Sequence, residues 1–125
     1  MTGAVARVLL IAVAGAAGAL ARYGIGVAVG VRSFPWATLG INVAGSFLLG
    51  VVLAGPGASR WSTNVTTAVG VGFLGAFTTF STFAYETQTM LRDDRFARAA
   101  AYVSASVVLG LAAAALGYVT GRATS

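Results

Sequence analysis

Apolar residues fill four long stretches of this chain, and short connectors rich in polar, glycine and proline residues separate them. A helix needs about 20 mostly apolar residues to cross a bilayer, and each stretch is of that order. The pattern therefore predicts four membrane-spanning helices, over residues 4–31, 36–54, 64–91 and 96–119. Because the connectors are short, consecutive helices are expected to alternate in direction. The whole chain, residues 1–125, is expected to form one domain.

Polar side chains recur inside two of these stretches at intervals of four residues. They are Thr38, Asn42 and Ser46 in the second stretch and Tyr102 and Ser106 in the fourth. Residues four apart lie on one side of a helix, and polar groups within a bilayer turn toward protein or water. Bonding between helices explains a single hydroxyl, but the Asn42 amide is costly to bury for packing alone. Asn42 is therefore a candidate functional residue, whereas Tyr102 fits a polar stripe and an interfacial aromatic belt equally well.

The third stretch holds the most polar tract of the chain, GAFTTFSTFAYE, over residues 75–86. As one helix, residues 64–91 would be about 42 Å long, whereas the hydrocarbon layer is about 30 Å thick, so the span is tilted or interrupted. An interruption beside the hydroxyls would free backbone carbonyls, and an all-oxygen site suits a hard cation such as Na⁺. The alternative is a continuous helix whose hydroxyls bond back to its own carbonyls, and the sequence leaves both open.

Two other features of the stretches also have two interpretations each. Phe77, Phe80 and Phe83 step by three, which is typical of packing, but ring edges carry positive charge and can hold an anion that has lost its water. Arg22 lies inside the first stretch. Its side chain either extends along the helix to the membrane surface or faces an aqueous vestibule, where it would attract anions.

Composition places the chain among integral membrane proteins. Hydrophobic residues make up 58% of it and charged residues 9%, against about a quarter charged in soluble domains. The net charge of +5 comes from scattered arginines, which predict contacts with lipid headgroups and not a nucleic-acid face. The loops on one side hold Arg7, Arg60 and Arg122, and those on the other side hold Arg32, Arg92, Arg95 and Arg98. This near balance gives no clear orientation signal, and it motivates the hypothesis of an antiparallel dimer of oppositely oriented copies.

The missing residue types narrow the function further. The chain has no Cys and no His, which removes thiol chemistry and the usual nucleophile–base pairs, so an enzyme is not expected. A proton-coupled exporter of cationic compounds would need a carboxylate within the membrane, and the only glutamate is Glu86, late in the third stretch. A subunit without a transport role would leave Asn42 unexplained. Both of these classes are therefore disfavoured. Proton-coupled exchange of an anion is a further alternative, but the lack of titratable groups in the middle of the spans favours a passive channel.

Three segments resemble the Fluc, or CrcB-type, fluoride channels: GALARY at 18–23, ATLGINVAGSFLLG at 37–50 and GFLGAFTTFSTF at 72–83. The resemblance covers essentially the whole chain. It implies a multi-pass protein of the inner (plasma) membrane that forms a dual-topology antiparallel homodimer. The dimer would contain two pores, through which cytoplasmic fluoride leaves passively. It also implies a central, non-transported Na⁺ between two third helices that are broken mid-span.

The resemblance also implies roles for individual residues. It places the helix break at Thr78, Thr79, Ser81 and Thr82, and Na⁺ on the backbone carbonyls of Gly75 and Thr78. It places Asn42, Phe80, Phe83, Tyr102 and Ser106 along the fluoride pathway, Arg22 near a vestibule and Glu86 near a pore end. One position departs from the family pattern, because Gly110 stands where some relatives continue the fourth-helix track with a hydroxyl.

Overall fold

The computed structural model describes residues 2–125, and that part of the chain is helical throughout apart from its connectors. The elements are α1 (Gly3–Val29), α2 (Trp36–Ala54), α3 (Pro56–Arg60), α4 (Thr63–Thr67), a π-helical segment (Ala68–Leu74), α5 (Gly75–Phe77), α6 (Phe80–Arg92) and α7 (Phe96–Thr124). Within residues 2–125, four helical runs are long and apolar enough to cross a membrane, namely α1, α2, Thr63–Arg92 and α7. The four predicted spans are confirmed, and the largest difference is that the fourth continues to Thr124.

Local sequence signals explain where the helices begin and end. The Thr2 and Ser62 hydroxyls accept hydrogen bonds from the Val5 and Val65 amides and so cap α1 and α4. Helix α1 ends at Val29, before Gly30, whose φ of 74° lies in the left-handed region that glycine adopts at low cost. These signals keep the connectors short, which sets the alternating order of the spans.

Helices α2 and α7 pack backbone to backbone through glycines. A Cβ atom at Gly117 would overlap the Phe47 carbonyl, and one at Gly121 would lie 2.9 Å from the Val51 carbonyl oxygen. The Gly117–Gly121 pair is therefore a contact within one chain, although its GxxxG spacing is equally compatible with a contact between subunits. Gly26, by contrast, has no such neighbour within 4 Å.

Helix α1 packs against the π-helical segment in the same manner. A Cβ atom at Gly18 would overlap the Phe73 carbonyl, and one at Gly72 would lie 2.9 Å from the Ile11 carbonyl oxygen. This close approach holds α1 beside the first half of the third span, which brings Arg22, one turn after Gly18, next to the middle of that span.

The third span consists of two helical halves joined by two extended residues. Thr78 has φ −81° and ψ 157°, and Thr79 has φ −151° and ψ 114°, so helical geometry stops after Phe77 and resumes at Phe80. The prediction that the break also includes Ser81 and Thr82 is wrong. Both lie in the first turn of α6, because the Thr79 hydroxyl caps that helix and lets it begin directly after the interruption.

Candidate functional site

The interruption of the third span is bound by a side chain from α2. The Thr79 amide donates to Asn42 Oδ1 at 2.8 Å, and Asn42 Nδ2 donates to the Thr79 carbonyl at 3.1 Å. One carboxamide thus bonds both the amide and the carbonyl of an extended residue within the membrane. Neither water nor the helix itself supplies hydrogen-bond partners for these two groups there. The half-buried Asn42 is a structural partner of the break, and one of its two N–H groups is used in this role.

The backbone carbonyls of residues 75–78 lose their helical partners at the interruption, and in the part of the chain that the structure describes those of Gly75 and Thr78 stay without a replacement donor. In a continuous helix the Thr79 amide would donate to Gly75 and the Thr82 amide to Thr78. The first donates to Asn42 instead, and the second donates to Thr79 Oγ1 at 3.2 Å. Within residues 2–125, neither the Gly75 nor the Thr78 carbonyl oxygen accepts another hydrogen bond. These are the two carbonyls that the family resemblance singles out.

The Ala76 carbonyl, between these two, is occupied from α1. Arg22 Nε donates to it at 3.1 Å, and Arg22 is half-buried. The side chain therefore turns toward the middle of the third span, which does not fit the interpretation that it extends to the membrane surface.

The three phenylalanines of the tract have different surroundings. Phe77 is buried and its ring stacks on that of Phe73, with centroids 5.8 Å apart. Phe80 is 79% exposed, and its ring lies 5.7 Å from that of Phe83. Phe83 in turn meets the Tyr102 ring edge to face at 5.1 Å. Phe77 is thus a packing residue. The rings of Phe80, Phe83 and Tyr102 form a row of contacts from the exposed surface of α6 to α7.

A polar cluster surrounds Glu86, two turns beyond the interruption. Thr38 Oγ1 donates to Glu86 Oε1 at 2.7 Å, and the Tyr102 hydroxyl lies 3.4 Å from the same oxygen. Tyr102 is fully buried, which rules out a place in an interfacial aromatic belt and leaves the polar stripe. Glu86 also lines a cavity of about 380 Å³ at the end of the spans, together with Arg32, Trp36, Tyr85 and Asp93 among others.

A second cavity, of about 290 Å³, brings part of the predicted site together. Its lining includes Asn42, Ser46, Gly75, Thr78, Thr79 and Phe80. Ser81 and Thr82 are exposed at the start of α6, beside this cavity in the chain. Among residues 2–125, no three His, Cys, Asp or Glu side chains form a metal-binding group. The polar atoms around this cavity are hydroxyls, one amide and backbone carbonyls.

One residue of this region, Gly45, was missed in the sequence analysis, and Ser46 was named there only as part of the polar stripe. A Cβ atom at Gly45 would overlap the Thr78 methyl group, so only glycine lets α2 approach the interruption there. Ser46 Oγ lies 4.0 Å from the place where a Cβ atom of Gly110 would be, and it donates to the Asn42 carbonyl at 2.7 Å. A hydroxyl from α2 therefore stands next to the position where α7 lacks one. A glycine three residues after Asn42 was the available signal.

The fold and the interrupted helix define a multi-pass, all-helical membrane protein with a polar site in the middle of its spans. Residues 9–118 match the family model described as CrcB-like protein, Camphor Resistance (CrcB), and the chain belongs to this family.

Relatives similar along most of their length carry one kind of name. The chain is 47% identical to fluoride-specific ion channel FluC 2 of Moorella thermoacetica over 113 residues, 88% of this chain and 92% of the relative. It is 44% identical to fluoride-specific ion channel FluC of Geobacter sulfurreducens, over 92% of this chain and 96% of the relative. It is 42% identical to a FluC of Thermus thermophilus, over 94% of this chain and 96% of the relative. The resemblance is confirmed, as is the expectation that the chain is not an enzyme, because these relatives are named as ion channels.

Proposed function

We propose that this protein is a fluoride-specific ion channel of the inner (plasma) membrane, which lets cytoplasmic fluoride leave the cell passively and so reduces fluoride toxicity. The names and full-length similarity of its relatives support this function. The observation that carries it is the mid-span cavity, where Asn42, Phe80 and the threonine hydroxyls meet without a basic side chain in the lining.

The proposed pathway offers weak contacts in series. Asn42, Phe80, Phe83, Tyr102 and Ser106 supply an amide, ring edges and hydroxyls, each of which can interact with an anion without trapping it. Phe80 lies against Phe83, and Phe83 against Tyr102, so these three rings form a continuous series. In the same proposal, Arg22 lies near a vestibule and Glu86 near a pore end.

The exporter alternative requires a carboxylate that exchanges a proton for a cation. Glu86 is the only glutamate, and its Oε1 already accepts from Thr38. A carboxylate bound in this way suits a fixed element of a passive path better than a group that binds and releases cargo.

The proposed functional unit is an antiparallel dual-topology homodimer. Phe80, at the centre of the proposed path, is 79% exposed in the single chain, and a second copy packed there would close the path. Tagging each terminus and testing its accessibility from either side of the membrane checks this. Both orientations are expected in equal amounts, and a single orientation would contradict the dimer.

The proposal includes a structural, non-transported Na⁺ at the dimer centre, held by the carbonyls of Gly75 and Thr78. The donor set fits, because both carbonyls are released from helical bonding and hard cations prefer oxygen ligands. Bound there, Na⁺ would supply a fixed positive charge and a link between two interrupted helices. Asn42 Oδ1 and Thr79 Oγ1 accept hydrogen bonds from the amides of Thr79 and Thr82 and so leave these two carbonyls free for such a site.

Fluoride efflux from proteoliposomes tests the pathway. A fluoride electrode follows efflux while valinomycin clamps the voltage, for wild type, Phe80→Ile, Asn42→Ala and the control Phe96→Ile. Phe96 is 60% exposed on α7 and outside the site, so its variant is expected to conduct as wild type does. Loss of efflux in Phe80→Ile and Asn42→Ala alone is the expected result. Equal loss in Phe96→Ile, or unchanged efflux in Phe80→Ile, would contradict the proposed path.

A further inference from the structure

Arg22 reaches the interruption from a different helix than Asn42 does. In a continuous helix the Ala76 carbonyl would accept a hydrogen bond from the Phe80 amide. Here it accepts one from Arg22 Nε at 3.1 Å. The close contact between Gly18 and the Phe73 carbonyl holds α1 near enough for this reach. A side chain therefore takes the place of a main-chain donor, as Asn42 does one step further along.

Four of the five carbonyls of residues 75–79 fall into two pairs. Those of Ala76 and Thr79 accept hydrogen bonds from side chains of α1 and α2. Those of Gly75 and Thr78 lose their amides, because the amides of Thr79 and Thr82 donate elsewhere. The carbonyls of Gly75 and Thr78 are therefore available to a ligand, whereas those of Ala76 and Thr79 are bonded to side chains.

We propose that Arg22 is a positioning residue for the cation site. Its Nε–H occupies the Ala76 carbonyl, so the Phe80 amide cannot donate to that carbonyl and re-form the helix. The Thr79 amide is then also kept from returning to the Gly75 carbonyl. The inference rests on the sodium site of the proposed function. The role belongs to one N–H group at a fixed distance from the backbone. It differs from attraction of anions by the guanidinium charge, which any cation of similar length would supply.

Three substitutions of Arg22 separate these two roles. Glutamine carries a nitrogen donor on Cδ, at the same bond position as Nε, but no charge. Methionine has similar length without a donor. Lysine keeps the charge, but its nitrogen lies one bond further out. A positioning role predicts that Arg22→Gln behaves as wild type and that Arg22→Met and Arg22→Lys fail together. A charge role predicts the opposite for glutamine and lysine.

The experiment measures sodium affinity in the full-length protein. Thermal unfolding is followed in detergent at constant ionic strength, with Na⁺ replaced by N-methylglucamine, and equilibrium binding of radioactive sodium is the second readout. Wild type and Arg22→Gln are expected to share one sodium midpoint within about twofold. Arg22→Met and Arg22→Lys are expected to raise it about tenfold, the loss that follows when one charge-assisted hydrogen bond is removed.

The remaining outcomes each overturn a specific statement. A normal midpoint in Arg22→Lys with a raised one in Arg22→Gln would assign the effect to charge. Equal midpoints in all variants would remove Arg22 from the cation site. If Arg22→Met does not fold, the glutamine and lysine pair still decides. If wild type shows fluoride efflux with no sodium dependence, the channel proposal stands and both the sodium site and this inference fall.

Discussion

Two regions of the molecule join helices in opposite ways. Between α2 and α7, backbones meet directly through Gly117 and Gly121, and the contact is made of close packing. In the middle of the third span, side chains from neighbouring helices replace the helix's own hydrogen bonds, with Asn42 on Thr79 and Arg22 on Ala76. The first region tolerates no added atom, and the second depends on particular polar atoms. The first region is a scaffold, where substitutions are expected to lower stability. The second is a site, where substitutions are expected to lower transport.

The largest effect is expected from Gly117→Val in the scaffold. The added atoms would overlap the Phe47 carbonyl, and the two helices would have to separate. We expect a loss of about 3 kcal/mol of stability, at the upper end of overpacking costs, seen as a lower melting temperature and poor recovery of monodisperse protein. Gly110→Ala is the control, because its Cβ atom would meet only Ser46 Oγ, at 4.0 Å. An unchanged melting temperature for Gly117→Val would contradict the claim that the α2–α7 contact depends on close glycine packing.

Gly45→Ala is expected to lower stability less than Gly117→Val does, but to lower transport strongly. The added Cβ would overlap the Thr78 methyl group and displace the interruption, while the α2–α7 contact stays intact. We expect fluoride efflux to fall about tenfold, equivalent to about 1.4 kcal/mol in the barrier. Gly40→Ala on the same helix is the matched control, since nothing lies within 4 Å of its Cβ position. Equal efflux in the two variants would show that the interruption does not control conduction.

An intermediate effect is expected from Thr38→Val, which keeps the shape of the side chain and removes its hydroxyl. The Glu86 carboxylate would lose its 2.7 Å hydrogen bond and keep only the longer one to Tyr102. Efflux is expected to fall about fivefold, in line with one lost bond to a charged group partly offset by the other. The same assay with Thr66→Val, near the other end of the third span, controls for loss of any hydroxyl. A fivefold loss in both variants would argue against a specific role of this cluster.

The smallest effect is expected from Gly110→Ser. The Cβ position is 4.0 Å from Ser46 Oγ, so a serine fits without displacing its neighbours. Efflux is expected to stay within about twofold of wild type, because Ser46 already places a hydroxyl there. A large gain in efflux would mean that Gly110 leaves a gap in the path that Ser46 does not fill.

Much of the fold followed from hydrophobic length alone. Four apolar stretches and short connectors predicted four spans, and the structure has them with ends shifted by a few residues. The spacing of Gly117 and Gly121 could not say whether the pair packs within a chain or between chains, because both uses need the same close approach.

The interruption was the part that local sequence could not decide. Whether Thr78 and Thr79 leave the helix depends on Asn42 and Arg22, which lie 37 and 54 residues away from their partners in the chain. Hydroxyl-rich tracts are also compatible with a continuous helix, and Thr78 does bond back to the Leu74 carbonyl at 2.8 Å. The extent of the break was overestimated because a capping threonine restarts the helix at once.

The most direct test of the account is the halide selectivity of wild-type protein in proteoliposomes. Efflux of fluoride and of chloride is measured from matched vesicles at clamped voltage, with no proton gradient. The account predicts fast fluoride efflux and no chloride efflux above that of protein-free vesicles. Equal efflux of both halides, or fluoride movement only when a proton gradient is imposed, would contradict a passive fluoride channel and direct attention to Glu86.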